Sequence, residues 1–268
     1  MSTRAPERPR ASRAPIDPRI RARRIEVQRT EGRRRLQRLA IAGSAVAFVA
    51  SLLWLTTTPL LDVDSIRVDG ANHTGEAAVL AAIDIHRGDA LLTTDISGAS
   101  ARLTRLPWVA TAKVRRSWPG TVAITVVERT PVAAIAARRG GWVLVDAGGR
   151  QLATTTEPAL ELVRVAGRAL APAPGVLAGP AYDGALELAA TIPKSLHSVV
   201  QSVWPKPDGS LSAIVVLPGG ATATARLGTA TQLESKLVAL ASVLERADLA
   251  NVHVIDLRVP GAPALTRG

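Results

Sequence analysis

Leu106–Ala133, LPWVATAKVRRSWPGTVAITVVERTPVA, holds two alternating runs, Val109–Arg116 and Thr121–Glu128, on either side of Ser117-Trp118-Pro119-Gly120. Apolar and polar residues at period two mark half-buried strands, and Pro-Gly between two such runs marks a hairpin. Val122, Ile124 and Val126 are therefore expected on one face, pointing into a core. Trp108 and Trp118 read as core and hairpin-packing residues.

Upstream, Val63–Val68 (VDSIRV) alternates and closes on Asp69-Gly70, the pattern of a strand entering a turn. Ala77–Ile85 and Ser97–Leu106 carry small and apolar residues at helical spacing. Thr74 is the expected cap of the first, Arg87-Gly88-Asp89 its stop, and Pro107 ends the second. The order is strand, helix, helix, strand, strand.

Ahead of this unit stands Leu39–Leu61, LAIAGSAVAFVASLLWLTTTPLL, with no charged side chain. As a helix it would extend about 34 Å, enough to cross a bilayer's hydrocarbon core. Residues 19–38 hold nine Arg and residues 62–81 only Arg67. Basic flanks stay cytoplasmic, so the N-terminus is expected inside, the C-terminal bulk outside, and Trp54 at the outer interface. No small-residue cleavage site follows the apolar run, which argues against a removed signal peptide. Arg33-Arg34-Arg35 resembles a twin-arginine signal, and that route would deliver the same domain to the same side.

The formal net charge is +11, but residues 1–38 carry 13 Arg against Glu7, Asp17, Glu26 and Glu31. The tail thus holds +9 and the rest +2. This Pro- and Arg-rich tail is expected to be disordered and drawn to anionic lipid. It lacks the interleaved aromatics of a nucleic-acid binder. The chain has no cysteine, which removes disulfides, thiolate metal sites and thiol nucleophiles.

The residues after 131 read as a strand-rich mixed domain. Val132–Ile135 and Trp142–Val145 flank Arg138-Arg139-Gly140-Gly141, and Asp146-Ala147-Gly148-Gly149 turns the chain again. Residues 168–184 read as a Pro- and Gly-rich loop, and Ala185–Ile192 as a short helix. Val199–Trp204, Leu211–Leu217 and Ala221–Leu227 are expected strands. Thr231–Arg246 sets Leu233, Leu237, Leu240 and Leu244 on one helical face. Val252–Val259 alternates until Pro260, and Pro260–Leu265 is either an edge strand or a loose tail. Trp142 and Trp204 are expected in the core of this domain.

Three stretches carry a family resemblance: IRVDG (Ile66–Gly70), RGDALLTTD (Arg87–Asp95) and Leu106–Ala133, with its ordered LPWV, WP, ER and PVA elements. They resemble the POTRA domain of the FtsQ/DivIB family of bacterial division proteins. The resemblance implies an α+β architecture: cytoplasmic basic tail 1–38, transmembrane helix 39–61, POTRA domain 62–131, β domain 132–260, and a C-terminal tail or edge strand 261–268. It further implies a septal plasma-membrane scaffold that binds FtsB and FtsL and helps control the FtsW/FtsI synthase. In that family FtsB binds by strand addition at the C-terminal end of the β domain. The matching positions are Asp256, Leu257, Arg258 and Val259, with Arg258 the charged contact and Val259 the apolar one. Glu128 and Arg129 border a partner region in POTRA-type division proteins, their alternative reading being a solvated ion pair.

Two other classes compete. A POTRA protein of translocation or envelope assembly would usually carry several repeats before a membrane barrel. An exported enzyme would show chemistry, yet Ser-x-x-Lys, Gly-x-Ser-x-Gly, His-Glu-x-x-His and Walker patterns are all missing. His73, His86, His197 and His253 lack ligand spacing and read as surface or turn residues. No catalytic residue, metal, cofactor, nucleic acid or small-molecule substrate is expected.

Overall fold

The computed structural model describes residues 36–51, 54 and 62–268, which fall into two units divided after Leu61. In the first unit residues 36–51 are helical (α1) and their large apolar side chains are exposed. This covers the beginning of the expected span; the basic tail to residue 35 and residues 52, 53 and 55–61 lie outside the described residues. Among the described residues no helix is long and apolar enough to cross a membrane.

The second unit begins with a three-stranded sheet in the order β1-β3-β2. β1 (Ser65–Asp69) runs parallel to β3 (Thr121–Glu128), which pairs antiparallel with β2 (Val109–Ser117). α2 (Glu76–Ile83) and α3 (Ile96–Leu103) complete the β-α-α-β-β order. Ser117 faces Thr121, so Trp118, Pro119 and Gly120 form the hairpin tip. Val122, Ile124 and Val126 all face inward against Val79, Ile83, Leu91 and Leu103. Gly70 follows β1 at φ +84°, and a Cβ there would lie 2.1 Å from the Val126 carbonyl oxygen, which only glycine avoids.

The helix ends differ from the sequence reading. Asp95, rather than Ser97, starts α3, accepting the Gly98 N–H at 2.8 Å as a cap. Asp84 takes a left-handed conformation at φ 51° and stops α2 short of Ile85. Thr74 does not cap α2: the N-cap position is Gly75, with no side-chain bond. A carboxylate from β3 instead accepts the Thr74 N–H just ahead of the helix. Trp118 is exposed, not packed in a core, because the hairpin tip projects beyond the sheet.

The second sheet has nine strands in the order β12-β11-β10-β9-β8-β7-β4-β5-β6. β4 (Pro131–Ala137), β5 (Trp142–Asp146) and β6 (Gln151–Thr155) form a meander at one side. β7 (Val163–Leu170) inserts between β4 and β8 (Val200–Pro205), parallel to both. β9 (Leu211–Val216) and β10 (Thr222–Gly228) continue antiparallel, and β11 (Val252–Asp256) lies parallel to β10. β12 (Ala264–Arg267) pairs antiparallel with β11 and closes that side. The run after Pro260 thus contains an edge strand.

Helices α4 (Asp183–Thr191) and α5 (Leu233–Arg246) share one core with the sheet. Ile135, Val145, Val165, Val203, Val215, Ala225 and Ile255 meet Leu186, Leu188, Leu237 and Leu240 there. Alternate strand residues point away from this core, and they include Arg164, whose guanidinium lies 5.5 Å from the Trp142 ring centre. Trp204 also faces away and is half exposed, contrary to its expected core position; its indole N–H donates to Ser202 Oγ at 3.2 Å. Lys236 is the polar surprise in α5. It is 2% exposed and donates Nζ–H to the Thr229 carbonyl at 2.8 Å.

Candidate interaction edge

The alternating run expected to reach Val259 ends its pairing at Asp256. Leu257 then donates its N–H to the Arg226 carbonyl at 2.8 Å and turns its side chain into the core, where it is 0% exposed. This corrects the expectation that Leu257 meets a partner: two residues after the buried Ile255, it shares that residue's core-facing side. Val259, in contrast, is 63% exposed, and the Ala262 N–H closes a turn on its carbonyl at 3.1 Å.

Asp256 and Arg258 form a local fork. Arg258 Nη2 donates to Asp256 Oδ2 at 2.6 Å and Nε donates at 3.0 Å, while the Arg258 N–H reaches Oδ1 at 3.1 Å. These bonds from Arg258 hold the Asp256 carboxyl below the usual aspartate range and raise the guanidinium further. The pair is exposed at the Arg258 end, where solvent screens it and leaves it little weight in stability. Its chief structural effect is to hold Arg258 just past the end of β11, where its side chain lies close to Gly228 of β10.

β12 is the outer strand on this side, with no strand beyond it among the described residues. Its terminal residue Gly268 donates its N–H inward to the Asn251 carbonyl at 3.2 Å. Backbone directions alternate along a strand, so the N–H groups of Leu265 and Arg267 point outward. Such an edge is a template for another extended segment. Ala264, Thr266 and Arg267 are exposed along it, and Leu265 packs against the core.

Glu128 and Arg129 stand elsewhere. β11 and β5 are six inter-strand steps apart in the sheet order, about 29 Å at the usual strand spacing. Glu128 accepts the His73 N–H at 2.9 Å and the Thr74 N–H at 2.7 Å, and His73 Nδ1 lies 2.9 Å from Oε2. Burial opposes its charge, but these donors outweigh it and hold the carboxyl down at about 2. The His73 ring in turn stacks on Trp108, centroids 4.4 Å apart. Arg129 Nη1 donates to Asp146 Oδ2 at 2.8 Å, and Nε donates to the Val109 carbonyl at 3.2 Å. Glu128 and Arg129 are therefore neither a mutual ion pair nor a free surface. They fasten the α2 entry and the passage from the three-stranded to the nine-stranded sheet. Asp146, the acceptor in the second fastening, carried no sequence signal beyond its turn.

Comparison with known proteins bears on this arrangement. The FtsQ-type POTRA domain model matches residues 61–129, the span of the three-stranded sheet and its helices. A "Cell division protein FtsQ" of Corynebacterium glutamicum is 32% identical over 113 residues, covering 42% of this chain and 50% of that protein. The FtsQ of Anaeromyxobacter sp. is 34% identical over 136 residues, 47% of this chain and 46% of its own length. That of Streptomyces collinus is 33% identical over 142 residues, 50% and 53% respectively.

The chain resembles FtsQ division proteins, and its residues 61–129 match their POTRA domain. Its alignments span about half the length of these curated relatives. The family model stops at residue 129, short of the β11–β12 edge. Among the described residues no group of three or more His, Cys, Asp or Glu is arranged to hold a metal.

Proposed function

We propose that this FtsQ-like chain is a bitopic scaffold of the bacterial divisome. Leu39–Leu61 crosses the plasma membrane, with the Arg-rich tail on anionic lipid in the cytoplasm and residues 62–268 outside, at the septum. The exported part divides into a POTRA domain over 62–131 and a β domain from 132, and it turns over no substrate. Its partners are FtsB and FtsL, through which it helps control FtsW and FtsI.

The observation that supports this reading most is the unpaired outer edge of β12, with Arg258 and the exposed Val259 in the connection that leads to it from β11. A partner's extended segment can complete the ladder there, with Arg258 offering charge and Val259 an apolar contact. Asp256 orients the guanidinium. In-cell crosslinking from Arg267, followed by purification of the full chain from its membrane, tests the assignment. FtsB peptides are expected on that edge; crosslinks that exclude division proteins would overturn it. A reporter active only outside the cytoplasm is expected to work at Gly268 and fail at Ser2.

A further inference from the structure

On the face of the nine-stranded sheet turned away from α4 and α5, Trp204 stands between two arginines. Arg164 of β7 lies opposite Ser202, two residues before Trp204 on β8, and Ser212 of β9 lies between Trp204 and Arg226 of β10. Val165, Val203, Ala213 and Ala225 face the core, so their neighbours Arg164, Trp204, Ser212 and Arg226 share the outer side. The indole is 50% exposed and its one donor is taken by Ser202 Oγ, so it presents carbon surface outward. Arg164 is exposed and rests on the Trp142 ring. Among the described residues neither it nor Arg226 is in a salt bridge, and Asp256, opposite Arg226, is already forked by Arg258. Beside Arg164 opens a cavity of about 510 Å³ that Lys194, Gln201 and Leu160 also line.

We propose that this sheet face binds a carboxylate-bearing glycan, with a sugar ring stacked on Trp204 and its acid groups on Arg164 and Arg226. An indole with no free donor is an apolar plate, and the C–H face of a sugar ring matches it while the ring's hydroxyls stay in water. The arginines supply planar, forked donors of the kind that carboxylates accept. Three strand steps separate β7 from β10, about 14 Å at the usual spacing, so acid groups that recur along a chain reach both. A protein segment suits this face less. The backbone groups of β7, β8, β9 and β10 are paired to strands on both sides, so a peptide laid across them would lose water from its own N–H and C=O groups without gaining partners. Nucleic acid would need many phosphate contacts, yet beyond the tail the chain carries only +11 − 9 = +2.

The test is titration calorimetry of the full chain in detergent micelles with a hyaluronan hexasaccharide, which alternates N-acetylglucosamine and glucuronate. Saturable binding is expected, weakened about tenfold by Trp204→Ala and about threefold by Arg164→Gln. Trp204→Tyr, which keeps a stacking ring, should retain most of the affinity. A neutral chitin hexasaccharide should bind more weakly and be indifferent to Arg164→Gln. Thermal unfolding of each variant checks that the sheet is intact; should Trp204→Ala lower it, Trp204→Tyr and Arg164→Gln carry the comparison. Absence of binding to the wild-type chain, or equal affinity in all the variants, would overturn the proposal. Tighter binding of a hexaglutamate peptide than of hyaluronan would also overturn it, giving the face to an acidic protein segment. None of these results bears on the β12 edge or on the membrane span.

Discussion

Arg129 places its guanidinium 2.8 Å from the Asp146 carboxylate and so joins the residue after β3 to the end of β5. Asp146 is buried and also accepts the Arg150 N–H at 2.8 Å. Only Arg129 and Thr130 separate β3 from β4, so this pair fixes how one sheet leads into the next. Replacing Arg129 with Met leaves a buried carboxylate with one donor fewer, a loss of about 1.5–3 kcal/mol. Thermal unfolding of the detergent-solubilised chain should fall accordingly, and Asp146→Asn should cost less. Unchanged unfolding in Arg129→Met would mean water replaces the arginine.

Glu128 gives a pH signature. Its folded pKa, about 2, lies below the ordinary glutamate value, so it stabilises the fold fully above that ordinary value and progressively less as pH falls toward 2. Glu128→Gln should destabilise the protein at pH 7 by about 1.5–3 kcal/mol, the scale of hydrogen bonds to a charged group. The difference from wild type should close between roughly pH 4 and pH 2. Chemical denaturation at a series of pH values reads this directly, and a gap independent of pH would contradict the assigned bonds.

Lys236 runs the other way. Burial lowers its pKa from 10.5, and it sits in the first turn of α5, where the helix dipole also disfavours a cation. The unfolded chain therefore binds more protons between the lowered value and 10.5, and stability conferred through this group rises with pH across that window. Lys236→Met removes the titration. Its stability relative to wild type should fall as pH rises from 7 to 10.5, measured by denaturation of both proteins side by side. A flat difference would show the ammonium is hydrated in the fold.

At the edge, Arg258→Glu puts a second carboxylate beside Asp256 and inverts the charge offered to a partner. Affinity for an FtsB peptide should fall about tenfold or more, a loss of 1.4 kcal/mol or greater. Thermal unfolding should shift little, since the native pair is exposed and screened by solvent. Equal affinity by titration calorimetry at one salt concentration would move the binding surface elsewhere.

Inside the three-stranded sheet, Ile124 is fully buried, so Ile124→Ala should cost about 2–5 kcal/mol. Ile124→Asp should leave residues 62–130 open to protease, because the carboxylate has no buried partner.

That inward row of β3 was legible because period two and a Pro-Gly turn are local signals. So were the α5 stripe and the order of elements in the first sheet. β7 was not: Arg164, Gly167 and Arg168 interrupt its alternation, and its two parallel neighbours come from far along the chain. Leu257 was misjudged for a different reason. Leu257 stands two residues after Ile255, so the same alternation puts it on the buried face, away from a partner. Glu128 and Asp146 were beyond reach because the groups they hold, His73, Thr74 and Arg129, are brought to them only by the folded topology.

The seam between β7 and β8 has just two registered residue pairs, Arg164 with Ser202 and Val165 with Val203. On either side the pairings are mostly hairpins, and at this seam few registered backbone pairs join the nine-stranded sheet. α4 touches both β4 and β8, and its Leu186 and Leu188 are buried in the common core. That short helix therefore spans the seam, covering strands on both sides of it with one set of buried leucines.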